Sequence, residues 1–408
     1  MSDQPRVLII VQNLPVPFDR RVWLEATTLT EAGYSVSVIC PKAKGFNAGF
    51  EELEGVHIYR YPLPIDAHSP AGFIAEFVWC FLCTFVMSLR IALFGRGFDI
   101  IHVCNPPETY WPMLYLYKLF GRRIIFDHHD LSPEMYAVKF EKDSGFVYRA
   151  LLFMERMTFR VADVVIATND SHKQIAIERG GKHPDDVFVV RSGPDLTRFK
   201  RYPPDPSWKK GKRYLLAYLG EICKQDGVDH LVRALKTLRV EYGRNDVHCV
   251  FIGGGPHQPA IKAYADELGV GDISTFTGRV SDDVLCRILS SADLGVDPDP
   301  KNPWSDKSTM NKVMEYMYFG LPIVAYDLKE TRISAGNCAV YAIGESPDAL
   351  ANTIHVLIDD VHKNVHLSVA GKSRLNNVLA WEHSAPNLIS AYASVNEPTF
   401  AECAPRND

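Results

Sequence analysis

The strongest constraint on the fold of this chain is a repeated alternation of short, β-branched apolar runs with longer helical patterns. The first series of runs covers residues 7–11, 34–40, 100–103, 123–126, 164–168 and 187–190. The second series covers residues 214–220, 247–253, 273–278, 294–297, 323–327 and 339–342. Near-continuous apolar runs of this length are typical of parallel strands that are covered by helices on both faces. The pattern therefore predicts an α/β protein with two tandem, Rossmann-like, doubly wound domains.

Length and charge narrow the class of protein further. A chain of 408 residues is too long for one ordinary core, so we expect an N-terminal domain at 1–200 and a C-terminal domain at 201–380. The stretch at 200–212 is rich in Pro and Lys and is predicted to be the linker between them. The net charge of −5 offers no overall field for a nucleic-acid backbone, so no nucleic-acid partner is expected.

The cysteines and the N-terminus indicate the cellular compartment in which the protein is expected. Nine cysteines are scattered along the chain, and the one close pair, Cys80 and Cys83, has no second pair with which to form a metal site. The N-terminus enters a strand-like run without the pattern of a signal peptide. Reduced thiols and a cytoplasmic location are the expectation.

The most hydrophobic stretch is a predicted helix over residues 73–94. Only 13 residues separate Glu76 from Arg90, which is short of the ~20 that a spanning helix needs. A polar residue recurs at every fourth position within this stretch: Glu76, Cys80, Thr84 and Ser88. Such a thin polar stripe fits a buried helix that packs on the sheet. The alternative is an interfacial helix that makes a peripheral contact with the inner face of the plasma membrane.

Polar residues follow the first predicted strand. In an open parallel sheet, ligands bind at the carboxyl ends of the strands, where loops lead into helices. The loop "VQNLPVPFDRR" lacks the GxGxxG pattern, which disfavours a nicotinamide cofactor. Asn13, Arg20 and Arg21 lie in or beside this loop, and a guanidinium there can bind a phosphate or a sugar hydroxyl. The alternative for the arginines is a structural ion pair.

The stretch "FDHHD" places four polar residues in a row at a predicted strand end: Asp127, His128, His129 and Asp130. Adjacent side chains of an extended chain alternate in direction, so four of them rarely converge on one ion, and we predict no metal site. One histidine that points into a cleft between the domains is the favoured interpretation. A polar turn is the alternative.

The stretch "PWSDKSTMNKVMEYMYFGLP" predicts a helix over about 308–319, capped by Ser305 or Asp306. Its N-terminus carries Ser308 and Thr309 and is a candidate seat for a diphosphate, because free N–H groups and hydroxyls converge there.

Three further residues of that helix suit a nucleotide. Glu315 shares a helix face with Asn311 and Lys312. Lys312 can offset the charge of a phosphate, and the carboxylate of Glu315 can accept both hydroxyls of a ribose. A surface pair between Lys312 and Glu315 is the alternative.

Two glycine-rich turns follow strands of the second series. Gly220 permits a close backbone approach, and Lys224 supplies a cation at the same turn. Gly254, in "FIGGGP", repeats the glycine-rich pattern between a strand and a helix. We group these residues with the predicted donor-binding set.

The order of the motifs resembles one known family over nearly the whole chain. The matching stretches include "NLPVPFDRRVWLEATTLTEAGYSVSVICP", "FDHHDLSPE", "YLGEICKQDGVDHLVRAL", "GGGP" and "STMNKVMEYMYFGLPIVAYDLKETRISAG". Together they are similar to the retaining glycosyltransferases of the GT-B class, in the large family 4-like group typified by bacterial surface-polysaccharide and glycolipid enzymes. The resemblance implies two Rossmann-like domains that face a central cleft, with the nucleotide sugar held by the second. It also implies that the last helix, at about 381–396, crosses back onto the first domain.

The resemblance implies roles for single residues. Glu315 matches the second glutamate of the family's paired-glutamate signature, which holds the nucleotide ribose. His129 matches the first-domain histidine that is directed at the donor sugar, and His128 is the runner-up.

Three positions depart from the family pattern. Lys307 stands where the first glutamate of the pair is expected, and Glu221 and Asp226 stand where an arginine and a lysine are expected. Thr309, Asn311 or Lys312 would then contact the donor sugar, with Lys224 as the nearest cation at the turn.

The implied activity is transfer of a hexosyl or N-acetylhexosaminyl group from a nucleoside diphosphate sugar, uridine-linked, to an acceptor hydroxyl with retention. The expected acceptor is a glycan or a polyprenyl-linked lipid in the synthesis of surface polysaccharide or glycolipid. The nucleotide sugar is a substrate, so no cofactor is expected, and helix N-termini with Lys312 or Lys224 would stabilise the leaving diphosphate without a metal. Two alternatives remain: a nucleotide-sugar epimerase of the same fold, and a non-catalytic subunit that binds nucleotide sugars.

Overall fold

The computed structural model describes residues 4–64 and 70–396, which form two compact units. Unit 1 contains the described residues up to Ala137, Glu141–Ser192 and the chain from Ser384 onward. Unit 2 contains Val138–Phe140 and Gly193–His383. The chain therefore leaves unit 1, builds nearly all of unit 2 as one continuous segment, and returns to unit 1.

Unit 1 is built on an eight-stranded sheet. Its strands are β1 Arg6–Ile10, β2 Ser35–Pro41, β3 Phe50–Leu53, β4 Val56–Tyr61, β5 Ile100–Cys104, β6 Arg123–His128, β7 Val164–Ala167 and β8 Val187–Val189. The order across the sheet is β3-β4-β2-β1-β5-β6-β7-β8, and β3 alone runs antiparallel to its neighbour. The strand order reverses between β1 and β5, which is where a doubly wound sheet opens a crevice for ligands.

Helices connect the strands of unit 1. They are α1 Arg20–Glu31, α2 Pro70–Phe94, α3 Trp111–Leu119, α4 Ser132–Phe140, α5 Phe146–Val161 and α6 Asp170–Glu178. The helix predicted over residues 73–94 is confirmed as α2, which begins three residues earlier. The last three residues of α4 group with unit 2.

Unit 2 is built on a six-stranded, all-parallel sheet. Its strands are β9 Tyr214–Leu219, β10 Val247–Ile252, β11 Ser274–Gly278, β12 Leu294–Asp297, β13 Ile323–Ala325 and β14 Ala339–Tyr341. The order is β11-β10-β9-β12-β13-β14, so the reversal lies between β9 and β12. The predicted fold class, two Rossmann-like α/β domains, is confirmed.

Helices cover both faces of the sheet of unit 2. They are α7 Val228–Val240, α8 Gln258–Glu267, α9 Asp282–Ser291, α10 Asn311–Phe319, α11 Lys329–Ala335, α12 Pro347–Ile358 and α13 Val361–Arg374. The final helix, α14 Trp381–Asn396, lies mostly in unit 1. Alternate residues of β9 enter two different cores: Leu216 and Tyr218 pack towards α7 and α12, and Leu215 and Ala217 pack towards α9 and α10. This alternation is why the strands are apolar along their whole length.

The chain meets itself where it enters and leaves unit 2. Gly193 lies so close to the backbone of Leu379, Ala380 and Trp381 that a side chain at this position would overlap them. In unit 1, Tyr392 of α14 is fully buried, and its hydroxyl is hydrogen-bonded to His102 Nδ1 at 2.8 Å. The last helix is thus part of the core of unit 1.

Two features differ from the sequence prediction. The first is the hairpin of β3 and β4, which the apolar runs did not predict. Glu54 and Gly55 form its two-residue turn, and both have a positive φ. The second is the stretch 200–212, which was predicted to be a linker. It belongs to unit 2, where the N–H groups of Tyr202 and Asp205 donate to the hydroxyls of Ser290 and Ser291 at 3.0 and 2.9 Å. The linker prediction is wrong because this Pro-rich segment bonds to the end of α9.

The predicted polar stripe of α2 faces inward, and much of the rest of the helix is exposed. Cys80, Thr84 and Ser88 are fully buried. Among the described residues one helix, Gly72–Phe94, is long and apolar enough to cross a membrane, and 22% of its most apolar window is buried. The interpretation of this helix as fully buried is therefore wrong.

Candidate functional site

The buried carboxylate of Asp127 organises the site of unit 1, at the carboxyl end of β6. It accepts hydrogen bonds from Arg21 Nε at 3.1 Å and Arg21 Nη2 at 2.8 Å, and it is bonded to His129 Nε2. Burial opposes the negative charge, but Arg21 and His129 outweigh it and hold the pKa of Asp127 well below its usual value. Asp127 is therefore an ionised group that fixes the residues around it.

The side chain of His129 reaches the surface of unit 1 and is held from two sides. It is 15% exposed, its Nε2 is bonded to Asp127, and its backbone N–H donates to Asn105 Oδ1 at 2.6 Å. Asn105 is in turn fixed by donating to Glu108 Oε1 at 2.7 Å. Because Nε2 is committed to Asp127, Nδ1 is the ring nitrogen that can face a ligand.

His128, the runner-up, points the opposite way. Its ring is fully buried, with its centre 5.0 Å from that of Phe159 and 5.4 Å from that of Phe126. Burial lowers its pKa to about 3. Successive side chains of β6 alternate between the two faces of the strand end, which separates the two histidines. In the described structure His128 is a core residue.

The three residues predicted to bind acceptor or phosphate differ in exposure. Asn13 and Arg20 are exposed. Arg21 is buried, and besides Asp127 it donates to the carbonyl of Val190 at 2.7 Å and to Ser192 Oγ at 3.0 Å. Its Nη2 also lies 3.1 Å from Glu25 Oε1. The guanidinium therefore makes four hydrogen bonds and one further ion pair inside unit 1. The structure therefore does not support the prediction that Arg21 binds a ligand directly.

A cluster of acid, imidazole and thiol groups lies behind Asp127. Glu25, His102, Cys104 and Asp127 offer possible ligand atoms that all lie within 4.8 Å of one another, and all four residues are buried. Burial raises the pKa of Glu25 and of the Cys104 thiol well above their usual values. The guanidinium of Arg21 already supplies a positive charge within ion-pair distance of both carboxylates. The prediction from sequence missed Glu25 and His102, since each is one polar residue inside an apolar pattern.

In unit 2, the glycines after β9 and β10 bring two loops into contact beside the reversal of strand order. Gly253 has a φ of 128°, and a Cβ at that position would overlap the carbonyl oxygen of Gly220. The carbonyl of Gly254 accepts the N–H of Ile222 at 2.9 Å. Gly220 in turn lies against the hydroxyl of Tyr218 and the side chain of Lys312. The predicted Gly220, Gly254 and Lys312 are thus brought together.

Lys312 of α10 is held by two carboxylates that the sequence analysis did not identify. Its Nζ lies 3.2 Å from Asp297 Oδ1 at the end of β12 and is bonded to Asp299 Oδ2. It also lies 5.1 Å from the centre of the Tyr218 ring. Burial opposes the charge of Lys312, but Asp299 and Asp297 outweigh it and raise its pKa well above the usual value. Burial raises the pKa of Asp299 well above its usual value, whereas Lys312 lowers that of Asp297 despite burial.

The helix that carries Glu315 is fixed to the sheet by the next residue. The hydroxyl of Tyr316 accepts the N–H of Leu219 at 2.9 Å and donates to the carbonyl of Val296 at 3.2 Å. Its ring packs on Gly295, where any side chain would collide with it. Glu315 itself is 9% exposed, so it is not one half of a solvated surface pair with Lys312. Tyr316 thereby fixes α10 against both strands of the reversal.

The N-terminus of α10 differs from the prediction. The helix begins at Asn311, and a separate 3-10 turn covers Ser305–Lys307, so Ser308 and Thr309 precede the helix. Ser308 Oγ donates to the carbonyl of Trp304 at 2.8 Å. The residue that caps α10 is Met310, whose side chain makes no capping bond. The predicted start at about 308 and the cap at Ser305 or Asp306 are wrong because the short turn takes up those residues.

The turn after β9 carries the remaining predicted residues. Lys224 and Glu221 are exposed, whereas Asp226 is buried and accepts the N–H of Cys223 at 2.8 Å. Burial raises the pKa of Asp226 to about 6, against the opposing charge of Lys312. Asp226 is therefore a structural acceptor of this turn.

Comparisons with known proteins agree with this architecture. A family model described as "Glycosyltransferase Family 4" matches residues 19–198, and one described as "Glycosyl transferases group 1" matches residues 213–360. An MMP alpha-(1->4)-mannosyltransferase of Mycolicibacterium hassiacum is 25% identical over 392 residues, which cover 89% of this chain and 91% of that protein.

Solved structures give the same fold. Sucrose-phosphate synthase from Thermosynechococcus elongatus is similar with a TM-score of 0.74 at 18% identity, covering 96% of this chain and 99% of the other. Anabaena HepE, solved in complex with UDP-glucose, is similar with a TM-score of 0.70 at 15% identity, covering 95% and 99%.

The two Rossmann-like units and their family matches define the class of protein as a GT-B glycosyltransferase. Within that class, the family 4 model matches mainly unit 1 and the group 1 model matches unit 2.

Proposed function

We propose that this glycosyltransferase moves a hexosyl or N-acetylhexosaminyl group from a UDP-sugar to a hydroxyl of a glycan or a polyprenyl-linked lipid, with retention. The observation that carries the proposal is the placement of Glu315 and Lys312 on one short helix at the strand reversal of unit 2. A parallel sheet of this kind binds nucleotides at that point. Anabaena HepE, which has the same fold, was solved with UDP-glucose, and this supports the choice of base.

Glu315 is the proposed ribose contact. The helix that carries it is attached to β9 and β12 through Tyr316. A carboxylate can accept two hydroxyl donors at once, which matches the paired hydroxyls of a ribose. Because α10 cannot shift without breaking both bonds of Tyr316, the acceptor geometry is preorganised for the nucleotide.

The proposed diphosphate contacts are backbone N–H groups at the start of α10 together with Ser308, Thr309 and Asn311. The side chain of Met310 makes no capping bond to those N–H groups, and this supports an anion at the groups of Asn311 and Lys312; that of Val313 donates to the Met310 carbonyl at 3.1 Å. Lys312 contributes less charge than expected from the sequence, since Asp297 and Asp299 are already paired with it. The exposed Lys224 is the second proposed cation.

His129 is the proposed catalytic residue of unit 1. Asp127 binds its Nε2 and so orients the ring, which leaves Nδ1 to contact the substrate. We further propose that no metal ion takes part and that the protein acts in the cytoplasm. The pairing of Arg21 with Glu25 and Asp127 supports the absence of a metal in the buried cluster, because a second cation there would be repelled. Transfer in the presence of EDTA, compared with added Mg²⁺, tests this point.

A thermal-shift screen of nucleotide sugars identifies the donor, since a ligand that binds the native state raises its apparent stability. Transfer of labelled sugar is then measured with matched variants. Glu315→Ala should abolish the shift, whereas its control Glu267→Ala, an exposed helical glutamate of unit 2, should not. His129→Ala should keep the shift and slow transfer, whereas His183→Ala, an exposed histidine of unit 1, should do neither. Near-normal transfer by both site variants would refute the assignment.

One observation favours a second function. Lys307 replaces an acid that the family resemblance leads one to expect, which suits a non-catalytic subunit that binds the nucleotide sugar. Binding of a donor without transfer to any glycan or lipid acceptor would support that function. A changed sugar after incubation with donor alone would instead indicate an epimerase.

A further inference from the structure

The outward surface of three helices in unit 1 is unusually apolar. We call it the apolar face and define it by the exposed large residues of α2, α3 and α5. They are Phe73, Ile74, Phe77, Val78, Trp79, Leu82, Val86, Leu93, Phe94, Tyr115, Leu116, Leu119, Phe146, Val147 and Phe153. They make up more than half of the large exposed apolar side chains in the described part of the chain. A surface of this extent is typical of an interaction site.

The three helices lie side by side. The hydroxyl of Ser88 in α2 is hydrogen-bonded to that of Tyr117 in α3 at 2.8 Å, and the ring of Trp111 in α3 meets that of Phe153 in α5 edge-on, with centres 6.1 Å apart. The exposed residues of the three helices therefore lie on neighbouring elements of unit 1.

The orientation of α2 is fixed by its polar residues. Thr84 Oγ1 lies 3.4 Å from the hydroxyl of Tyr110, and Ser88 and Cys80 are buried on the same side. The helix thus has its polar stripe inside the protein and its apolar side outside. If α2 crossed a bilayer, the hydroxyls of Tyr110 and Tyr117 would lose their hydrogen-bond partners Thr84 and Ser88. These bonds therefore favour a helix that lies flat on the membrane surface.

The outward side of α5 adds positive charge to the apolar face. Its exposed residues recur at helical spacing and alternate aromatic with basic: Phe146, Arg149, Phe153, Arg156 and Arg160. Every charged residue of that stripe is an arginine. Arg90 of α2 is exposed as well, near the end of the helix. Aromatic and basic residues on one surface suit the interfacial region of a membrane whose headgroups carry phosphate.

A groove beside α2 completes the surface. It has a volume of about 920 Å³ where the helix meets β4. Its apolar lining includes Tyr59, Tyr61, Trp79, Leu82, Val86 and Phe94. Arg90 also lines it, so a hydrocarbon chain in the groove would have a cation close to its headgroup.

We propose that the apolar face docks unit 1 onto the surface of an anionic phospholipid bilayer, with α2 lying in the interfacial region and the arginines of α5 on the lipid phosphates. The charge pattern selects a bilayer over a second copy of the chain. A twofold contact through this face would bring two sets of arginines together, whereas anionic headgroups supply the missing negative charge. Docking does not depend on the proposed transfer reaction, and each can fail while the other stands.

Flotation with vesicles tests the proposal. The full chain is mixed with vesicles of phosphatidylcholine alone or with phosphatidylglycerol added, in the absence of nucleotide. The test variant carries Val78→Glu, Leu82→Glu and Val86→Glu, three exposed residues on one line of α2. The matched control carries Val361→Glu, Val365→Glu and Val369→Glu, which have the same spacing and similar exposure on α13 of unit 2.

The protein and the control variant should float with the anionic vesicles, and the test variant should stay unbound with an unchanged melting temperature. Replacing Arg156 and Arg160 by Gln should weaken binding to anionic vesicles by about fivefold per residue. Acyl chains brominated near the headgroup should quench the fluorescence of Trp79, and this part of the signal should vanish in Trp79→Phe.

Three results would overturn the proposal. They are failure of the unaltered protein to float, equal flotation of the test variant, and a dimer in vesicle-free solution that the test variant alone disrupts. The last result would assign the face to a second copy. The quenching of Trp79 keeps the proposal testable even if the triple substitution unfolds the protein.

Discussion

Replacing Lys312 by Met would remove the cation between two buried carboxylates and keep most of its aliphatic bulk. Asp297 and Asp299 are both fully buried, and Lys312 lies 3.2 Å from Asp297. At an effective dielectric of about 20, that separation corresponds to a Coulomb attraction of about 5 kcal/mol before desolvation is subtracted. Breaking a buried pair by removing one partner costs about 3–5 kcal/mol.

A second route to the magnitude uses protonation. Without Lys312, Asp297 must become neutral, and at pH 7 neutralising an aspartate of ordinary pKa 3.8 costs about 4 kcal/mol at 1.36 kcal/mol per pH unit. The loss in unfolding free energy should therefore be about 4 kcal/mol at pH 7. It should shrink to about 2 kcal/mol at pH 5, because protonation of Asp297 in the folded variant becomes easier as the pH falls.

Urea denaturation of the protein and the variant at pH 7, 6 and 5 measures the difference. The control is Lys236→Met, which removes an exposed lysine from α7 of unit 2 and should change the unfolding free energy by less than about 0.5 kcal/mol. Adding Asp297→Asn to Lys312→Met should recover most of the loss, since it removes the stranded charge.

Two results would refute this reasoning. A loss below about 1 kcal/mol at pH 7 would show that Lys312 is not the internal counterion of Asp297. A loss that does not change between pH 7 and pH 5 would show that no carboxylate has to be neutralised. Either result would return Lys312 to the role expected from the sequence, a free cation for the phosphates.

Three other substitutions probe the two sites. Asp127→Asn should cost about 3 kcal/mol of stability in urea, because Arg21 loses a buried partner, and should slow transfer without weakening the thermal shift caused by the nucleotide sugar. Gly253→Ala should weaken donor binding at least tenfold in calorimetry, since its φ of 128° and its contact with Gly220 leave no room for a side chain. His128→Leu should reduce acid sensitivity. The pKa of about 3 in the folded state lies below the ordinary 6.5, so the unfolded chain binds the extra proton and stability is lost as the pH falls below about 6.5. In urea denaturation, the unfolding free energy of the variant relative to that of the native protein should rise by up to about 1.4 kcal/mol for each pH unit that the pH falls from 6 to 4.

Contrary results would be clear in each case. Transfer at the normal rate by Asp127→Asn would remove Asp127 as the residue that positions His129. Unaltered donor affinity in Gly253→Ala would place the nucleotide away from the loops after β9 and β10. A constant stability difference between His128→Leu and the native protein across pH 6 to 4 would mean that His128 is already protonated in the folded state.

The fold followed from periodicity because the strands are buried on both sides. All twelve apolar runs lie on strands of the two sheets, and the reversal of strand order is the usual one for a doubly wound protein. The hairpin of β3 and β4 escaped because "FEEL" is mostly polar and its partner buries His57 and Arg60, so neither strand is a clean apolar run. Edge strands of this kind form through backbone hydrogen bonds to a neighbouring strand, and the pattern of apolar residues does not reveal such pairing.

The candidate site was harder to derive from sequence than the fold. Glu315 was identified from its place on a helix, whereas His129 was chosen from the two histidines at the strand end through the family resemblance. The partners that neutralise the cations of the two sites, Asp297 and Asp299 for Lys312 and Asp127 for Arg21, come from separate elements. A sequence shows which groups are charged, but whether an arginine or a lysine is neutralised internally depends on carboxylates that only folding brings near. For this reason Arg21 was predicted to bind a ligand, whereas in the structure its guanidinium contacts groups of unit 1 instead.

The return of the chain to unit 1 has a consequence for the order in which the protein can be made. Residues 193–383 leave the ribosome before Tyr392, whose hydroxyl completes the buried bond to His102. Unit 2 begins and ends at neighbouring points, where Gly193 meets Leu379 to Trp381. Nearly all of the chain of unit 2 precedes α14 in the sequence and is therefore synthesised before it. Unit 1, although it is begun first, is completed last. Its sheet, which still lacks the helix α14, and its apolar surface must therefore persist through the synthesis of unit 2, and this is the period in which a chaperone or a membrane would meet them.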